Sequence, residues 1–184
     1  DNRRAVQRSL IGGVVVVTFG VLIPQTMFWG EFEFQTISTL GPASGLAHIW
    51  PTSGSFGFEM NNFNSAMIVG LSKFVAISFT VAGGYRGGFI FPLFASGAAL
   101  GRAIFFLCPF IPVQLCVLCM AAALNVAITR TTIATTLILA FLAGEQNAIS
   151  AILASALVSL FLTAYMPFIK TQIARADLEH CLYT

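Results

Sequence analysis

The chain alternates long apolar stretches with short interruptions of glycine, proline or single charges. Residues 9–30 carry no charged side chain, enough for the ~20 apolar residues a helix needs to cross hydrocarbon. Arg3, Arg4 and Arg8 precede this run and favour a cytoplasmic, or equivalent, N-terminal side. Residues 31–62 differ: Glu31, Glu33, Glu59, two prolines and "GPASGLAHIWPTSGSFG" predict an extended polar connection outside the hydrocarbon. His48 and Trp50 within it read as interfacial. Between positions 60 and 169 the only charges are Lys73, Arg86, Arg102, Arg130 and Glu145. Several of the apolar pieces between them are too short for a full span, which predicts helices that stop part-way or re-enter the membrane. Pro109 and Pro112 are expected to divide residues 103–129 into two helices. In "KTQIARADLEHCLYT", residues 170–184, polarity returns. Ile169, Ile173 and Ala176 recur at helical spacing, as on a helix leaving the membrane.

Composition agrees with this pattern. The chain is 57% hydrophobic and 9% charged, against about 25% charged in a soluble domain. An all-α, multi-pass integral membrane protein in contact with the lipid bilayer is expected. Its net charge of +2 comes from scattered basic residues, so nucleic acid is not an expected partner. Cys116 and Cys119 form a C-x-x-C without a second pair or a nearby histidine, and read as small apolar helix residues rather than a metal or redox site. No cofactor is expected. No signal peptide is recognisable, and Asp1 suggests a fragment or a processed chain. No catalytic triad, nucleophile elbow or phosphate loop is visible, so an enzyme is not expected.

The interruption "AGGYRGGFIFP", residues 82–92, raises a sharper question. A broken helix is tolerated inside a membrane only where its freed backbone is buried or lines a polar cavity. A helix starting near Pro92 leaves its first amides without helical acceptors, and proline suits a first turn because it has no N–H. Glycines just upstream allow close approach of a ligand. The product is a cluster of N–H donors at the positive end of a helix, a site suited to an anion, with Arg86 adding positive potential. The same residues also fit an ordinary glycine-rich turn with Arg86 snorkelling to an interface.

"GGFIFPLFASGAALGRA" resembles the G-x-F-x-P segment of the CLC family of chloride channels and proton-coupled chloride exchangers. "CMAAALNVAITRTTIATTLILAFLAGEQNAISAILASALVSL" is similar to the stretch that follows it there. "LIGGVVVVTFGVLIPQTMFWGEFEF" resembles the family's upstream glycine-rich helix, proline and polar loop. The resemblance spans almost the whole chain, in order, and looks closest to a divergent bacterial-type branch. It implies most of the second inverted repeat, with broken or re-entrant helices, over residues 1–169, and a C-terminal exit helix and tail over residues 170–184. It also implies that the amides of Gly88, Phe89 and Ile90 hold a chloride-like anion, supported by Gly87, Arg86 and Pro92, which would start the helix. The remaining N-terminal part of the same transporter would complete the path. Residues 133–142 and 149–161 would contribute to a homodimer interface.

Three positions depart from the family pattern. Ile90 stands where an aromatic residue is expected, with Phe89 and Phe91 beside it. Ile169 stands where the exit helix often supplies a tyrosine hydroxyl to the anion; losing that donor removes about 1.5–3 kcal/mol from a dry site. Tyr165, one turn earlier, is a weak substitute. Thr132 replaces a proline after Arg130. No G-K/R-E-G-P or G-S-G-I-P occurs, and Glu145 reads as a loop residue rather than a gate. Two functions follow. One is transport of chloride or a similar anion by a channel or proton-coupled exchanger. The other is a transport-inactive, CLC-derived structural subunit of a larger membrane assembly.

Lys73 is either a source of positive potential along the anion path or a marker of a helix end at the interface. Arg102 and Arg130 are expected at interfaces. Ala121, Ala122, Ala123, Ser150, Ala154 and Ser155 read as surfaces for close helix packing.

Overall fold

The computed structural model describes residues 2–27, 34, 60–85 and 87–166. The polar connection, apart from Phe34 and positions 60–62, and everything beyond residue 166, including the expected exit helix and Ile169, lie outside the described residues. So does Arg86. Six α-helices make up the described chain, with no strand among them: α1 Asn2–Leu22, α2 Phe63–Ala82, α3 Ile90–Leu107, α4 Val113–Thr129, α5 Thr132–Ala143 and α6 Ile149–Leu162. A 3-10 turn, Pro24–Thr26, follows α1, and another, Gln146–Ala148, precedes α6.

Local chemistry sets most of the boundaries. Asn62 caps α2: its side chain accepts from the Ser65 N–H at 2.8 Å, and the Ser65 hydroxyl faces the Asn62 N–H at 3.4 Å, a reciprocal capping box. The predicted division at Pro109 and Pro112 is present: α3 ends at Leu107 and Pro112 precedes the first residue of α4. Gly144 ends α5 at φ +67, a left-handed conformation that glycine adopts at little cost.

α3 is central, flanked by α2 and α4; α4 also meets α5 and α6, and α1 lies on α2. Glycines allow the tight approach. A Cβ on Gly97 would come within 2.6 Å of the Ala121 Cα, and one on Gly101 within 2.5 Å of the Cys116 carbonyl oxygen. This small-x-x-x-small face lets α3 and α4 pack backbone against backbone, as helices do in lipid. Serines add bonds that need no water: Ser96 donates to the Gly70 carbonyl at 2.8 Å, Ser155 to Cys119 at 2.7 Å and Ser159 to Ala123 at 2.6 Å.

The outward faces are apolar: Phe141 is 91% exposed and Phe161 73%. Two helices, Phe63–Ala82 and Ile90–Leu107, are long and apolar enough to cross a membrane. Two expectations need correction. Phe34 and Met60, both inside the predicted polar connection, are buried in the core, with Phe34 tilted against Phe94 at 6.3 Å between ring centroids. Arg102, expected at an interface, is 3% exposed within α3. It shares that helix with the small residues that draw neighbouring helices close, so it is enclosed with them.

Candidate functional site

The connection from α2 to α3 is built almost entirely from backbone. The Gly83 N–H donates to the Phe79 carbonyl, Gly84 to Val81 and Tyr85 to Thr80, at 2.8, 3.1 and 3.2 Å. These bonds wind α2 to a close, and Gly84, at φ +82, turns the chain out. α3 then begins at Ile90, with Phe89 as its cap; the Leu93 N–H bonds to the Phe89 carbonyl at 3.0 Å. The Ile90 and Phe91 amides come before that bond and have no acceptor within the helix. Phe89 offers no side-chain oxygen to them, and no side chain caps this end. Pro92 does not start the helix, as the resemblance implied, but is its third residue. It still belongs to the first turn, where a missing N–H costs nothing.

This end of α3 opens on a cavity of about 300 Å³. Gly87, Gly88, Phe89 and Pro92 line it on one side, with Lys73, Ala76, Ile77, Thr80 and Val81 from α2. Thr26, Met27, Val16 and Tyr85 close the remaining walls. Gly87 and Gly88 are exposed, and a Cβ on either would meet nothing within 4 Å, so both face open space. Lys73 is 3% exposed, far from either end of α2, and donates from Nζ to the Thr26 carbonyl at 3.0 Å. Of its two readings, the helix-end one is excluded by this position. An ammonium and the positive end of a helix therefore share one open cavity with mostly apolar walls.

Four of the expected site residues, Gly87, Gly88, Phe89 and Pro92, are brought together on this wall. Ile90 is adjacent but does not line the cavity; its side chain is 38% exposed. Arg86 and Ile169 fall outside the described residues. Tyr165 stands 97% exposed beyond the end of α6 and is not among the residues lining the cavity. Glu145 lies in the α5–α6 connection, as expected. Arg130 sits at the corner after α4, donating to the Thr163 and Met166 carbonyls beyond α6 at 2.9 and 3.1 Å. Tyr85, Thr80 and Thr26 were not singled out from the sequence. The one available signal was a lone aromatic residue in the glycine run "GGYRGG".

Comparison with protein-family profiles matches residues 1–164 to the family described as voltage gated chloride channel. The chain belongs to that family, the CLC family, whose members are channels or transporters; membership makes this a membrane protein and suggests anion transport. No curated protein and no solved structure matches the chain.

Proposed function

We propose that this chain forms part of a transmembrane path for chloride or a similar small anion, in a CLC-type channel or proton-coupled exchanger. The observation that carries the reading is the one cavity lined by both Lys73 and the Gly87–Gly88–Phe89 approach to α3. An anion entering an apolar cavity gives up water and needs replacement donors already in position. Free amides at a helix N-terminus supply them without side chains, and the helix dipole adds to their effect. Lys73, on the wall of the same cavity, adds positive potential there. Gly88, Phe89 and Ile90 are the proposed binding amides, with Gly87 and Pro92 shaping the approach and Arg86 contributing potential.

The path is completed by the remaining N-terminal part of the transporter, and two copies associate as a homodimer. The apolar outward faces of α5 and α6, including Ile133, Leu137, Phe141, Val158 and Phe161, support that association. The test is anion efflux from liposomes containing the complete protein, with external pH recorded simultaneously. Chloride efflux with opposing proton movement identifies an exchanger; efflux without proton movement identifies a channel or uncoupled transporter. Absence of flux for every anion tried, from well-folded protein, overturns the transport reading in favour of a CLC-derived structural subunit.

A further inference from the structure

We infer that Tyr85 is the positioning residue of this anion site, an inference that rests on the proposed transport reading. Among the described residues, the glycines of the segment carrying the amides leave it loosely packed. An added Cβ on Gly87 or Gly88 would meet nothing within 4 Å, and the same holds at Gly84. Tyr85 is the exception. Its hydroxyl donates to the Ser9 carbonyl of α1 at 2.8 Å, while the Ser9 hydroxyl donates to the Gly83 carbonyl at 2.8 Å. The two bonds run in opposite directions between the same pair of segments, so each helps fix the other.

α1 is shaped to receive the ring. A Cβ on Gly13 would lie 2.8 Å from the Tyr85 hydroxyl oxygen, and one on Gly12 would lie 3.4 Å from the ring. Gly83 completes the seat, where an added Cβ would meet the ring at 3.1 Å. Ser9 lies within α1, so its carbonyl also has a helical partner and the tyrosine bond is not needed to satisfy it. Seat and bond together tie the connection to α1. Tyr85 also lines the cavity, only two residues from Gly87. Its effect on the anion is thus exerted through the position of the Gly88, Phe89 and Ile90 amides.

The test uses the complete protein in nanodiscs and liposomes, comparing Tyr85→Phe, Ser9→Ala and, as control, Thr18→Val. Thr18 makes a similar hydroxyl-to-carbonyl bond within α1, to Val14, without touching the connection. Loss of one net hydrogen bond corresponds to about a threefold to tenfold change. Tyr85→Phe and Ser9→Ala are expected to raise the half-saturating chloride concentration by that factor and to shift the chloride-to-nitrate ratio. They should also speed amide exchange over residues 83–91, leaving residues 132–143 unchanged. The control changes neither. Exchange and half-saturation both equal to those of the unaltered protein in Tyr85→Phe and Ser9→Ala overturn the positioning role. If the unaltered protein carries no flux, the transport reading fails by itself, and amide exchange alone decides whether Tyr85 holds the connection.

Discussion

Lys73, in the middle of α2, donates to the carbonyl of Thr26 at 3.0 Å, a bond between residues 47 positions apart in the sequence. Thr26 closes the 3-10 turn after α1, and its own hydroxyl turns back to the Ile23 carbonyl at 2.8 Å. The turn thus presents a carbonyl to the ammonium in a buried setting, and the lysine stem is held beside the cavity. A charged group so placed in a membrane protein is costly to keep, and such residues commonly mark ion pathways.

Replacing Lys73 with methionine keeps the length and apolar bulk of the stem while removing the charge. With an effective dielectric near 20, a charge some 4–8 Å from the anion is worth about 2–4 kcal/mol before screening. The half-saturating chloride concentration is therefore expected to rise at least about tenfold. Flux measured across a range of chloride concentrations checks this, and an unchanged curve removes Lys73 from the path.

Gly88 separates transport from stability. Its backbone lies outside the left-handed region and an added Cβ meets no atom within 4 Å, so Gly88→Val introduces no clash at Cβ. The added side chain instead projects beside the amides and hinders the approach of the anion. Thermal unfolding is expected to stay nearly unchanged. Chloride flux should fall roughly tenfold or more, as expected when a charge-assisted hydrogen bond is lost. Undiminished flux would move the binding amides elsewhere.

Much of the architecture was legible because helix breaks in an apolar chain are chemically conspicuous. Pro109, Pro112, the glycines of residues 83–88 and the Gly144–Glu145 pair all fall between helices. Single residues acting over long sequence distances were not legible. Phe34 and Met60 pass for parts of a polar connection because composition averages over a window, and one buried side chain does not change the average. Tyr85 reaches Ser9, 76 positions away, and neither periodicity nor local spacing encodes such a contact. Arg102 looked interfacial because a lone guanidinium usually is; its burial depends on how closely the neighbouring helices pack.

The α3–α4 contact tests the fold independently of transport. At Gly101 the obstacle to a side chain is the Cys116 carbonyl, and at Gly97 the Ala121 Cα; neither is backbone that can move aside by changing a rotamer. Gly101→Val and Gly97→Val are each expected to destabilise by about 1–3 kcal/mol or more through overpacking. Thermal unfolding in detergent should show both well below Gly87→Val, whose added Cβ meets nothing within 4 Å. Equal stability of all three would mean that α3 and α4 do not approach as closely as described.

Arg130 combines two opposing effects. It closes α4 at φ +58, a conformation that costs a non-glycine residue roughly 1–2 kcal/mol. Its guanidinium also joins the end of α4 to the Thr163 and Met166 carbonyls. Carbonyls at a helix C-terminus carry partial negative charge, so a cation there is favoured, and hydrogen bonds to a charged group contribute about 1.5–3 kcal/mol. Arg130→Ala keeps the strained backbone and loses the bonds, so it should be the more damaging of the two substitutions, destabilising by about 1.5–3 kcal/mol. Arg130→Gly relieves the backbone and should recover about 1 kcal/mol of that loss. Unfolding midpoints of the two variants check the order. Glycine at or below alanine would show that the left-handed turn is not a source of strain, leaving the bonds to α6 as the whole contribution of the side chain.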